Sequence, residues 1–208
     1  AAGVHIEHNA RVSRVIRSTA NPSRIESVEY LQGGARKTLT AARIIIAAFT
    51  VQSVRILLSS ATAQHSAPGN HSDKLGRYLM THPAATVFGL FEEETYPHLG
   101  VSAGQLLSHD EYDDKAAAGG FGSSQWMIGH AIKPHDLLGY GTGRPDISGP
   151  ELEPWLKRAA RHLGNMTLVC EDIALTENRI TLSDKVDSDG IPYAHTHHDL
   201  APTAATRW

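Results

Sequence analysis

Histidine is the residue type best suited to chemistry in this 208-residue sequence, with 13 copies, and three of them crowd one short segment. In Tyr193-Ala194-His195-Thr196-His197-His198-Asp199, a strand period of two puts His195, His197 and Asp199 on one face, a spacing that can ligate zinc. A row of solvated histidines gives the same pattern, and no second ligand cluster supports it, so no metal ligand is assigned. Glu92-Glu93-Glu94 and Asp110-Glu111-Tyr112-Asp113-Asp114 hold enough carboxylates for an acid-base pair, but no apolar pocket is indicated around them. They read as solvated surface. The single cysteine, Cys170, excludes an internal disulfide and a cysteine-based zinc site, and its apolar neighbours suit a small buried residue. No GxSxG nucleophile elbow occurs. Gly119-Gly120-Phe121-Gly122 lacks both the spacing and the preceding buried strand of a dinucleotide phosphate loop.

The most informative chemistry lies in the stretch from Ala41 to Ser60. Ile44-Ile45-Ile46-Ala47-Ala48 is apolar on both parities, which predicts a strand covered on both faces. Val51, Val54, Leu57 and Leu58 then follow helical spacing, with Thr50 as the expected N-cap. A strand running straight into a helix presents free N–H groups to an anion, and Ala47 and Ala48 would let a pyrophosphate approach closely. An ordinary packing joint between strand and helix has the same pattern.

The elements around this joint form a meander. RVSRVIR, IESVEYL and KTLTAARIIIAA alternate apolar and polar residues and are separated by turns at Asn21-Pro22-Ser23 and Gln32-Gly33-Gly34. Gln64 to Lys74 is rich in Ser, Pro, Gly and Asn and marks a domain boundary. Beyond it, strands are expected at Ala85–Leu90, Gln125–Ala131, Met166–Asp172, Arg179–Ser183 and Tyr193–His198, with hairpins around Asn178 and Asp189-Gly190. One helix interrupts them: GPELEPWLKRAARHLGN carries Leu152, Trp155, Leu156, Ala159 and Leu163 on one stripe and ends at Gly164. The expected fold class is α+β, a mostly antiparallel sheet with helices on one side.

Composition narrows the class of partner. Hydrophobic residues at 41%, charged residues at 20% and a net charge of −3 fit an ordinary globular chain rather than a disordered tail. No apolar run approaches the roughly 20 residues of a membrane-spanning helix. Without a basic run there is no footprint for a phosphate backbone, so nucleic acid is not an expected partner.

Three segments together resemble the glucose-methanol-choline family of flavin-dependent oxidoreductases. The stretch Ala41 to Ser60 resembles that family's A-x-x-V-I-L-A-A-G-A-x-x-T-P-x-L-L-x-S segment. Asn70-His71-Ser72-Asp73-Lys74-Leu75-Gly76-Arg77-Tyr78-Leu79-Met80-Thr81-His82-Pro83 is similar to its V-G-x-N-L-M-D-H-P segment, at the junction of flavin and substrate domains. Glu177-Asn178-Arg179-Ile180-Thr181-Leu182-Ser183, followed by Asp189-Gly190-Ile191-Pro192, resembles its N-R-V-T-L and G-x-P segment. The wording of CEDIALTENRITL is similar in particular to the flavoprotein subunits of bacterial gluconate, sorbitol and fructose dehydrogenases.

The resemblance implies FAD as cofactor and oxidation of a CH–OH group of an alcohol, sugar or sugar acid by hydride transfer to the flavin. A quinone or a haem subunit would accept the electrons. Residues 1–64 would be the C-terminal part of the FAD-binding domain, and residues 65–208 an incomplete substrate-binding domain. Val12 would meet the flavin adenine through its backbone N–H and C=O, and core packing would serve the same residue. Ala47 and Ala48 would line the dinucleotide. Phe49 replaces the family's usual Gly and Val54 its usual Pro. His82 would lie near the domain interface, or act as a hydrogen-bonded structural histidine. The GxGxxG phosphate loop is expected upstream and the catalytic His downstream of Trp208, so no catalytic residue is assigned here and the segment alone is expected to be inactive. The compartment stays open: periplasmic or membrane-associated under the subunit resemblance, cytoplasmic otherwise.

Overall fold

Alternation of apolar and polar residues makes β1 (Arg11–Arg17) and β2 (Ile25–Gln32), which pair antiparallel with Val15 opposite Val28. Between them Asn21 starts a turn in which its side chain accepts the Ser23 N–H at 3.1 Å and its carbonyl the Arg24 N–H at 2.9 Å. Gly33 and Gly34, at φ +60° and +77°, close a two-residue hairpin into β3 (Ala35–Thr40). A turn with both central residues left-handed matches the twist of the strands it joins, and Gly enters that region without a Cβ penalty. The predicted meander is therefore present, in the order β1-β2-β3.

The computed structural model describes residues 3–100, 106–110, 112 and 122–202. They divide into two compact units, Ala1–Met80 with Ala174–Asp199, and Thr81–Ile173 with Leu200–Trp208. This division falls at residue 80 rather than near 64, and it returns residues 174–199 to the first unit.

In the first unit the meander is joined by α1 (Phe49–Leu58) and by the hairpin of β8 (Arg179–Val186) and β9 (Pro192–His197). Helix α1 packs against β1, β8 and β9. Ser60 ties the helix end to the meander, donating to the Ile56 carbonyl at 2.6 Å and accepting the Val15 N–H at 2.9 Å. The β8–β9 turn forms where Asp189-Gly190 predicts it. Gly190 is left-handed at φ +72°, and the Asp187 carboxylate accepts the N–H groups of Asp189 and Ile191.

In the second unit β4 (Ala84–Leu90), β5 (Leu106–Ser108), β6 (Ser124–Ile128) and β7 (Leu163–Cys170) form an antiparallel sheet of order β4-β7-β6-β5. Helices α2 (Pro134–Thr142) and α3 (Leu152–His162) pack together, and Ile132, Leu137, Ala159 and Leu163 are the buried centre, with Leu90, Trp155 and Leu156 around them. Removing a large apolar side chain of this kind from water contributes about 1.5–3 kcal/mol when burial is complete. Gly141 allows the helices to approach, because a Cβ there would sit 3.0 Å from the Trp155 ring and 3.1 Å from Leu152. Phe88 of β4 meets Tyr140 of α2 at a ring separation of 4.5 Å. The fold is α+β, with antiparallel sheets and, in the second unit, helix α3 packed against β7 and α2 against α3.

Four local expectations are corrected. Ile44–Ala48 forms no strand, and Ile45 is 90% exposed. A strand apolar on both faces needs neighbours on each side, and no described strand pairs with it. Helix α1 is capped at Ala48 without a side-chain bond, so Thr50 lies inside the first turn. No hairpin forms around Asn178, because β7 pairs with β4 and β6 while β8 pairs with β9. Helix α3 ends at His162, and Gly164 belongs to β7.

Candidate functional site

Ala47 and Ala48 lead directly into α1, Ala47 exposed and Ala48 half-buried with its N–H donating to Ser53 Oγ at 3.2 Å. Val12 meets the same helix elsewhere. Its carbonyl accepts from Arg55 Nη2 at 3.4 Å, six residues beyond Phe49 and so about 9 Å along the axis at ~1.5 Å per residue. Val12 also pairs with Tyr30 across β1 and β2. The three residues thus share a helix without converging on one point.

The backbone at this joint explains a departure seen in the sequence. Phe49, where the resembled segment has Gly, sits at φ +62° and is 81% exposed. Tyr78, where the junction segment has Asn, sits at φ +61°, and Gly76 at φ +82°. Gly and Asn are the residue types that enter the left-handed region readily. At Gly76 a Cβ would also lie 2.4 Å from the Ile180 carbonyl oxygen, beside the bond from the Ile180 N–H to the Gly76 carbonyl.

The first unit buries polar groups that pattern reading missed. Glu29, 8% exposed, accepts from Ser13 Oγ at 2.8 Å, Arg14 Nη2 at 2.9 Å and Arg36 Nη1 at 2.7 Å. Burial pushes its carboxyl up, and the bonds from Arg14, Ser13 and Arg36 more than offset this, leaving it below the usual carboxylate range. Arg55 is buried on α1 and donates to Gln52 Oε1 at 2.5 Å, while its Nη1 has no partner among the described residues. Burial first, and the charge of Arg11 second, hold its guanidinium pKa below the ordinary value. Arg11 itself pairs with Asp187 and, at 2.9 Å, with Asp189. Asn178 is wholly buried and clamps Asp199, donating to its carbonyl and accepting its N–H, both at 2.9 Å.

The second unit holds an apolar cavity of about 620 Å³. Val87, Gly89, Gly164 and Met166 line it from β4 and β7, Ile128 from β6, and Phe91, Leu99 and His130 from the loops. Asn165 fixes its edge, its Oδ1 accepting the His130 N–H at 3.1 Å and its Nδ2 donating to the His130 carbonyl at 2.9 Å. Thr95 donates to the Leu163 carbonyl at 2.8 Å. The His130 Nε2 is buried and has no hydrogen-bond partner among the described residues. Size and lining suit a small-molecule ligand, for which cavities of roughly 300–1,000 Å³ with a few placed polar groups are usual.

The remaining candidates do not assemble into sites. His197 Nε2 lies 3.2 Å from Asp199 Oδ2, but no group of three potential metal ligands occurs among the described residues. His82 is exposed, its Nδ1 3.5 Å from the Cys170 carbonyl, and Cys170 is buried. Glu94 pairs with Arg161 and accepts from the Tyr96 hydroxyl. Glu111, Asp113 and Asp114, and Gly119, Gly120 and Phe121, lie outside the described residues. No described helix is long and apolar enough to cross a membrane.

No family model matches the sequence. The chain is similar to 2-methyl-1,2-propanediol dehydrogenase of Mycolicibacterium austroafricanum, at 25% identity over 210 aligned positions covering 95% of this chain. It spans only 36% of that protein's length. The similarity supports an oxidoreductase relationship. The cavity and the buried Glu29 network left no sequence signal, since both arise from residues far apart in the chain. At the joint into α1 and at the junction segment, the Gly and Asn positions of the resembled segments mark the left-handed backbone.

Proposed function

We propose that this chain is the middle part of an FAD-dependent oxidoreductase of the glucose-methanol-choline type, which oxidises CH–OH groups of alcohols, sugars or sugar acids. One observation carries the reading: the Gly and Asn positions of the resembled segments coincide with left-handed backbone at Phe49, Gly76 and Tyr78. Phe and Tyr have no intrinsic reason to adopt it, so the coincidence favours a shared backbone. The similarity to a diol dehydrogenase over nearly the whole chain supports the same reaction class.

Under this reading the first unit belongs to the flavin domain and the second to the substrate domain. The small side chains of Ala47 and Ala48 leave room for a dinucleotide beside the first turn of α1, whose N–H groups lack intrahelical partners. FAD would supply the acceptor for the hydride. The cavity of the second unit would hold the apolar body of the alcohol and exclude water from it. The base that removes the hydroxyl proton belongs to sequence beyond Trp208, and a quinone or haem subunit takes the electrons onward.

The test is to express the chain together with the coding sequence on both sides and assay alcohol-dependent reduction of an artificial acceptor. The reading expects a GxGxxG loop upstream, a His-containing segment downstream, and turnover with aliphatic alcohols. A folded product with neither motif and no turnover would overturn it.

A further inference from the structure

We propose that a second cavity of the second unit, between β4 and the helices α2 and α3, binds a neutral compound with a single aromatic ring and one hydrogen-bond acceptor attached to it. The site stands independently of the dehydrogenase reading.

This cavity holds about 320 Å³ and is walled by Phe88 and Leu90 of β4, Leu163 of β7, Tyr140 of α2 and Trp155 of α3, with Arg144 just beyond α2. Phe88 and Leu90 line it while Val87 lines the first cavity, as the alternation of side chains along a strand requires. The Trp155 ring is seated against Gly141, where a Cβ would lie 3.0 Å from it, so this wall is preformed. A preformed wall lowers the cost of binding.

Three features define the ligand. Three of the seven lining residues are aromatic, against 6% of the chain, so the walls offer ring faces and edges. Phe88 and Tyr140 meet at 4.5 Å with a tilt of 47°, and a planar ring packs on such a pair better than a puckered one. The volume sets the size. At about 30 Å³ per non-hydrogen atom, the share a water molecule takes in the liquid, about seven to nine such atoms fill roughly two thirds to five sixths of the space. Arg144 sets the polarity, because it is the one charged lining residue and Asp146 already neutralises it, accepting from Nε at 3.0 Å and from Nη2. An anionic ligand would meet the Asp146 charge as well. A neutral acceptor can instead take a bond from Arg144 Nη1, which makes none among the described residues.

The groups invoked are open to solvent. Phe88 is 39% exposed, Tyr140 43% and the Arg144 side chain 52%, so a ligand can reach them without unfolding the unit. Covering the two exposed rings removes apolar surface from water and favours binding.

The test is NMR titration of the methyl-labelled chain, alone and expressed with the coding sequence on both sides, using benzamide, benzoate and cyclohexanecarboxamide. Saturable shifts are expected at the Leu90 methyl groups and the Trp155 indole, which line this cavity alone, and not at Val87 or Ile128 of the first cavity. Benzamide should bind about three-fold more tightly than its saturated analogue, and more tightly than benzoate. Arg144→Met should weaken benzamide about five-fold while leaving toluene unchanged. Tyr140→Leu should weaken both, with the methyl dispersion of each variant reporting its folding. No saturable shift up to the solubility limit overturns the proposal, as do shifts confined to Val87 and Ile128. So does equal affinity for benzamide and either of the other two compounds, or binding indifferent to either substitution. Binding lost in the longer product would mean that other chain fills the cavity, and overturns it as well. Flavin and turnover play no part in the titration, so its failure leaves the dehydrogenase reading standing, and a product without flavin leaves this site standing.

Discussion

The two units solve the problem of their interiors differently. The first buries polar groups and satisfies most of them: Ser13 and Glu29 with Arg14 and Arg36, Ser60 with β1, and Asn178 with Asp199. The second gathers Leu137, Ala159 and Leu163 behind its sheet and leaves an apolar cavity on the face of Val87, Gly89 and Gly164. Buried hydrogen-bond networks fix a unique geometry at the cost of sensitivity to any single loss. Apolar interiors tolerate changes of volume better and can leave room for a ligand. Both units use the same device, an asparagine whose amide closes two bonds onto a distant backbone: Asn178 on Asp199, and Asn165 on His130.

This contrast can be broken or sharpened by substitution. Gly76→Ala should have the largest effect, because the added Cβ meets backbone rather than a movable side chain and φ is +82°. A loss of about 3 kcal/mol or more is expected in chemical denaturation, confined to the first unit by hydrogen exchange. Asn178→Ala removes both bonds to the Asp199 backbone and empties a fully buried side-chain position, and should cost about 2–4 kcal/mol. Asn165→Ala should cost less, about 1–3 kcal/mol, because the Gly129 N–H keeps its bond to the residue 165 carbonyl. Equal losses would show that the units do not differ in this respect.

A smaller effect concerns pH. The folded-state pKa of Glu29 is depressed, so its contribution to stability is complete above the ordinary carboxylate value of 4.5. It is lost as pH falls below that value and through the folded pKa. Stability of the first unit should therefore decline on acidification in this window, and Glu29→Gln should flatten the decline while lowering stability at neutral pH. Phe49→Gly should have the smallest effect and the opposite sign, raising stability by about 1 kcal/mol through relief of the left-handed strain at φ +62°. A destabilised variant would mean that the Phe49 ring makes contacts that outweigh that strain.

Local pattern in the sequence was enough for β1, β2, the Gly33-Gly34 hairpin, α3 and the Asp189-Gly190 turn, since periodicity and turn chemistry act over a few residues. It failed where distant chain decides. Ile44–Ala48 has the composition of a covered strand, but composition does not supply partners. Helix α2 went unread because Gly139 and Gly141 interrupt its short apolar pattern, and it is the contact of Gly141 with Trp155 and Leu152 that makes the second glycine fit. At the candidate site, the residue types at Ala47 and Ala48 were legible and the cavity was not. Phe91, His130 and Asn165 come together only through the pairing of β4, β6 and β7.

The central claim is that the joint from Ala47 to Phe49 is shaped to stand beside a flavin dinucleotide. Its most direct test is the flavin content of the folded product when the chain is expressed with the coding sequence on either side, measured after acid release, for the natural sequence and for Ala48→Asp. The account expects about one FAD per chain in the natural protein, and a large loss in the variant, whose carboxylate would face the dinucleotide phosphates. A folded natural protein without flavin, or an Ala48→Asp variant that retains it in full, would contradict the account.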